Sequence, residues 1–368
     1  MVEVGDNVSD VAKQRIIWMG LSKAAEAGPL SAETLLSAMN AELMAMRAMR
    51  PERYVMTTSV SLGAPPPTKS LSLLDCDIRF FEGAFPKPFR SREAFDSKWS
   101  NASEPSHTPD SYCKVTIACQ ARLTYDAVDK CMDAIDLARG LMSILENPTM
   151  SISLGGRRSP INRIRLGGLH ALHHADGSLA EDFYWLHPSF ESATPHLIRT
   201  GEGSCATKNH RWMFRQFAKL PNRSKKRLKD ALLIYVRAFD ESDRNTTLIR
   251  GWRAVESLLG SGDNCEPVAR RCAFLFNEFD YHRQIVDHLR ECRNRSAHSG
   301  QDLDDATVHC FQLQRYFREV VLFHLRNATV FESIDEANTF LDLPRSPAVL
   351  RRRRTLLRKA EKFHSPES

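Results

Sequence analysis

The chain has 368 residues, too many for one ordinary hydrophobic core, so two domains plus tails are expected. Hydrophobic residues make up 42% of it, yet no run approaches the roughly 20 apolar residues of a membrane span, and Met1 to Asp10 lacks the basic-then-apolar order of a secretion signal; a cytoplasmic protein without a membrane partner is predicted. The formal charge of +6 does not by itself call for nucleic acid, and nine cysteines with no C-x-x-C pair predict reduced thiols rather than a disulfide framework.

In chain order, Ser31 opens a helix whose apolar positions Leu35, Met39, Leu43 and Met46 recur at helical spacing until Pro51 stops it. From Tyr54 the period changes to two, with Tyr54, Met56, Val60 and Leu62 on one face and Val55, Thr57, Ser59 and Ser61 on the other. A short strand follows at Cys76, Ile78 and Phe80, then an irregular Ser/Pro-rich loop over 91–111. Cys113 to Leu123 alternates as a half-buried antiparallel strand, and a helix runs from about Asp126 to Glu146, ended by Asn147-Pro148. Runs 161–172 and 179–186 flank Asp176-Gly177, a hairpin turn. The histidines beside it, His170, His173, His174 and His187, read as hairpin polarity rather than a metal site, because neighbouring strand residues face opposite ways. No phosphate-binding glycine loop or nucleophile elbow is present in this half.

After a linker at 200–204 strand signals vanish, which places a domain boundary near 205. Five helices are predicted beyond it, marked by Leu228 to Phe239, Leu248 to Leu259, Val268 to Leu275, Ile285 to Cys292, and Cys310 to Val321. The second is stopped by Gly260, and the fifth begins in the acidic turn 302–305. Short connections predict antiparallel neighbours, hence a bundle. The fold class is therefore an α+β domain, 1–204, followed by an all-α bundle, 205–345, and a basic tail, 346–368.

Chemistry concentrates at Arg293-Asn294-Arg295-Ser296-Ala297-His298, between the fourth helix and a Ser299-Gly300 stop. It combines a permanent guanidinium with an imidazole that titrates near neutrality. The spacing alone is uninformative, since Arg283 to His288 and Arg165 to His170 repeat it. Asn294 lies four residues before His298, on the same helical face, whereas Arg293 and His298 point about 140° apart on an ideal helix. The helix must end or loosen between them, or the arginine stem must wrap round.

A helical domain with Arg-Asn-x-x-x-His ending its penultimate helix, and Trp252-x-x-x-Glu256 upstream, resembles the HEPN superfamily, in particular its ApeA-like branch, over roughly 207–343. The resemblance implies a metal-independent endoribonuclease without cofactor, often in phage defence or toxin systems, in which two subunits pair so that both motifs line one cleft. Arg293, Asn294, His298 and Glu256 are then the candidate catalytic residues, with RNA as substrate and a homodimer through the helical domain. The first half would sense or regulate. Some members serve instead as non-catalytic RNA- or protein-binding modules. Arg295, Arg351, Arg352, Arg353 and Arg354 are the candidate RNA contacts, supplying sequence-independent affinity, and the basic cluster Arg223 to Lys229 is a second.

Overall fold

A computed structural model describes residues 10–63, 65–92, 108–150, 159–187, 190–198, 204–260, 267–299 and 305–364, with the side chains of 10, 11, 298 and 299 outside that description. The chain divides into two compact units, 1–146 with 163–210, and 147–162 with 211–368. The division thus falls inside a helix, Cys205–Lys219, rather than at the expected linker, most of which lies outside the described residues, as does most of the loop expected at 91–111.

The first unit begins with a helical hairpin, α1 (Asp10–Glu26) against α2 (Ala32–Ala48). Ser31 caps α2 as expected, its hydroxyl accepting from the Thr34 amide while Thr34 Oγ1 accepts from the Ser31 amide. α1 carries little apolar periodicity in its sequence: its buried hydrophobic positions are Ala12, Ile16 and Ala24, while Ile17 and Trp18 stay exposed.

Among the described residues six strands follow: β1 (Glu52–Val60), β2 (Ser70–Leu73), β3 (Cys76–Phe81), β4 (Cys113–Ala121), β5 (Leu169–His174) and β6 (Trp185–Leu186). They form one sheet in the order β2-β3-β4-β1-β5-β6, with antiparallel neighbours throughout. Met56 pairs with Ile117 and Ile117 with Ile78, aligning three fully buried side chains across the sheet. Helix α3 (Thr124–Glu146) packs on this sheet, and its Cys131 thiol donates to the Ile117 carbonyl. The polar face of β1 is buried as well, because Arg92 donates to the Thr57 carbonyl and, at 2.7 Å, to that of Leu169. Alternation in the sequence separates the two faces but does not say that a later segment will cover the polar one.

The hairpin at Asp176-Gly177 forms with Gly177 at φ +95°, in the left-handed region where a side chain would be strained. Its strands are shorter than the runs that predict them. His170 and His174 lie on one face of β5 and His173 on the other: His170 Nδ1 meets Thr58 Oγ1 at 2.7 Å, while His173 Nδ1 meets the Gly177 carbonyl at 3.0 Å. The His170 and His173 side chains are hydrogen-bonding parts of the sheet.

In the second unit all five expected helices occur, as α5 (Asn222–Phe239), α6 (Arg244–Leu259), α7 (Pro267–Ala273), α8 (Phe279–Ser299) and α9 (Ala306–Arg326). Among the described residues there are also α4 (Cys205–Lys219), which spans the division between the units, α10 (Ile334–Leu341), and α11 (Pro347–His364), the helical form of the basic segment expected at 346–368. α6 is the hub, packed against α5, α7, α8 and α9. It approaches closely at Gly251, where a Cβ would stand 2.9 Å from the Phe239 ring and 3.2 Å from Leu313 Cδ2. Asn147, expected only to stop α3, donates its amide to Asn162 Oδ1 at 2.8 Å, Tyr235 Oη at 3.0 Å and Gln314 Oε1 at 3.0 Å. These buried bonds to α5 and α9 are why 147–162 belongs with the helices. Among the described residues no helix is long and apolar enough to cross a membrane.

Candidate functional site

Trp252 and Glu256 lie four residues apart on α6, hence on one face, and that face turns toward α8. The Trp252 ring is fully buried, and its indole N–H donates to Glu256 Oε1. The same oxygen accepts from Arg293 Nη2 at 2.5 Å, and Arg293 Nη1 donates to Asn294 Oδ1 at 2.9 Å. Four of the residues picked out by the sequence thus form one hydrogen-bonded chain. Glu256 pairs with Arg293 rather than with its sequence neighbour Arg253, which is exposed.

The setting is partly buried: 23% of the Arg293 side chain and 18% of the Glu256 side chain reach solvent. Charge-assisted bonds there are stronger than at an open surface, and they fix the guanidinium plane. Among the described residues, this network uses two of the five N–H donors of Arg293, and the others can meet another acceptor.

α8 runs without a break from Phe279 to Ser299, so the helix does not end or loosen between Arg293 and His298, contrary to one of the two expected solutions. His298 sits in the last described turn of α8, and its side chain lies outside the described residues. The expected stop at Ser299-Gly300 lies at the edge of the described residues, which resume at Asp305. Between the two, Ser296 is buried, with its hydroxyl 3.3 Å from Asn245 Oδ1 near the start of α6, while Arg295 is exposed. α8 is therefore tied to α6 at two points around the motif.

No protein-family model, curated protein or solved structure matches this chain.

The basic clusters differ in kind. Arg227, grouped with the candidate phosphate contacts of α5, is engaged in the fold: it pairs with Asp335 of α10 at 2.6 Å and donates to the carbonyls of Ser257 and Gly260. Arg223 and Lys226 are exposed. Arg351, Arg352, Arg353 and Arg354 lie on α11, a helix with no buried residue. Leu356, Leu357 and Phe363 are exposed along the same helix.

His288, which repeats the Arg/His spacing with Arg283, has different neighbours: it meets Cys292 on α8 and His309 on α9. In the sequence the helical spacing His288-x-x-x-Cys292 marks Cys292 as an apolar position of α8. His309 comes from another helix, which spacing does not reveal.

Proposed function

We propose that this chain is a metal-independent endoribonuclease of the HEPN superfamily, ApeA-like branch, acting as a homodimer in a toxin or phage-defence setting. The observation that supports it is the chain of bonds from Trp252 through Glu256 to Arg293 and Asn294, which joins in space the two motifs on which the resemblance rests. RNA carries its own nucleophile. The 2′-hydroxyl oxygen attacks phosphorus and the bond to the 5′ oxygen breaks, leaving a 2′,3′-cyclic phosphate.

Such a reaction needs proton transfer and a cation for the phosphorane charge. Arg293, held by Glu256 and Asn294, presents its remaining donors to the phosphate. His298 moves the proton. Since Arg293 and His298 diverge on an unbroken helix, one copy makes a sparse site, and a two-fold pair supplies two imidazoles: one takes the 2′-hydroxyl proton and the other, protonated, gives one to the departing 5′ oxygen. Arg295 and the arginines of α11 add sequence-independent phosphate contacts.

One observation favours a second reading, a non-catalytic module of the same fold that binds RNA or a protein: the Arg293 bonds are also what a purely structural arginine would make. Full-length protein incubated with mixed RNA in EDTA separates the two. Cleavage with 2′,3′-cyclic ends, slowed roughly 10²–10⁴-fold by His298→Ala, is the expected result. RNA binding without cleavage, or equal cleavage by His298→Ala, establishes the second. A monomer in light scattering at micromolar concentration contradicts the paired site.

A further inference from the structure

Helices α8 and α9 bring together two imidazoles and a thiol. His288, Cys292 and His309 each offer one ligand atom, and these atoms all lie within 4.8 Å of one another. His288 and Cys292, four residues apart, share one face of α8, with His288 Nε2 3.4 Å from Cys292 Sγ. His309 enters from α9, its ring edge-on to that of His288 with centroids 5.3 Å apart. The thiol is buried, His309 Nδ1 is buried with no hydrogen-bond partner among the described residues, and His288 is exposed. The cluster is thus closed toward the core and open toward solvent.

This donor set is selective. One thiolate with two neutral imidazoles suits Zn²⁺ and excludes the hard, oxygen-seeking Mg²⁺ and Ca²⁺. Zinc bonds of about 2.0–2.3 Å in tetrahedral geometry set neighbouring ligand atoms roughly 3.3–3.6 Å apart. The His288–Cys292 edge already has that length, and the two edges to His309, each within 4.8 Å, close by rotation of the His309 and His288 side chains. One group opposes the site: Arg295 Nη2 donates to Cys292 Sγ at 3.3 Å. A cation taking the thiolate displaces that contact, which the long arginine stem allows because Arg295 is exposed.

We propose that His288, Cys292 and His309 bind one zinc-class divalent ion, with the fourth position open to water or to an incoming oxygen or nitrogen ligand. The ion ties α8 to α9 one residue before Arg293. It takes no part in the cleavage proposed above, and its test does not depend on activity.

The test uses full-length protein stripped of metal with a chelator and titrated with Co²⁺, then Zn²⁺. The expected result is a near-ultraviolet thiolate-to-cobalt band with visible bands of tetrahedral type, saturating at one equivalent per chain and abolished by Zn²⁺. Cys205→Ser, which removes an exposed thiol elsewhere, keeps the band. Cys292→Ser removes it, and His309→Gln and His288→Gln weaken Zn²⁺ binding by more than the roughly 10–100-fold lost with an outer-shell partner. Because His288 is exposed, its variant folds even where the buried ones do not. Absence of the thiolate band, or Zn²⁺ binding by His288→Gln as tight as by wild type, overturns the proposal.

Discussion

Arg293 Nη2 on α8 donates to Glu256 Oε1 on α6 at 2.5 Å, and the same oxygen accepts the indole N–H of Trp252. A core residue thus sets the position of the carboxylate, and the carboxylate sets the guanidinium. Glu256→Ala leaves both donors without an acceptor in a partly buried place, and is expected to lower stability by about 1–3 kcal/mol. Urea denaturation checks this. In a double-mutant cycle with Arg293→Ala, a coupling below about 0.5 kcal/mol would show that the pair is not a working unit.

Arg293→Lys separates charge from shape. An ammonium keeps the charge but cannot bond Glu256, Asn294 and a phosphate in one plane, so RNA cleavage should fall at least about tenfold, the equivalent of one hydrogen bond. Exposed Arg283, whose Nε lies 3.8 Å from Asp287 Oδ2, serves as the control. Rates of Arg293→Lys equal to those of Arg283→Ala would remove Arg293 from the chemistry.

Removal of residues 347–368 should leave thermal unfolding of the remainder unchanged, since no residue of α11 is buried. RNA affinity should weaken, with a shallower dependence on salt, because each lost phosphate contact is one less released counterion. An unchanged salt slope would make α11 a solvated helix with no part in binding.

Two buried histidines predict an acid limit. Burial, with Arg92 nearby, pushes His170 down to about 3, and burial, with Arg227 nearby, pushes His324 down to about 4. Both take up protons near pH 6.5 in the unfolded chain but not in the folded one. Their contribution to stability is therefore complete above about pH 6.5 and declines as the pH falls toward 4. Melting temperatures measured between pH 8 and 4 should fall over that window, and His324→Leu should flatten the decline. A flat profile in the wild type would contradict the burial of these rings.

Gly251 marks the closest approach of α6 to its neighbours. Gly251→Val drives new methyl groups against the Phe239 ring and Leu313, with overpacking expected to cost roughly 1–3 kcal/mol. A chemical-denaturation midpoint equal to wild type would show that the helices can move apart there without loss.

Much of the local structure was legible in the sequence, because it depends on short-range terms. The period-two run from Tyr54, the Ser31 cap, the Asp176-Gly177 turn and the stop at Gly260 each follow from backbone preferences and spacing within a few residues. What lay outside that range came only from tertiary structure. Burial of the polar face of β1 required Arg92 to arrive from 35 residues away, and the grouping of 147–162 with the helices required Asn147 to reach Tyr235 and Gln314. The choice of Arg293 over Arg253 as the partner of Glu256, and the meeting of His309 with His288 and Cys292, depend on which helix faces pack together. A sequence periodicity says which residues share a face of one helix. Which two faces meet is decided by the packing of α6, α8 and α9, where long-range contacts carry the energy.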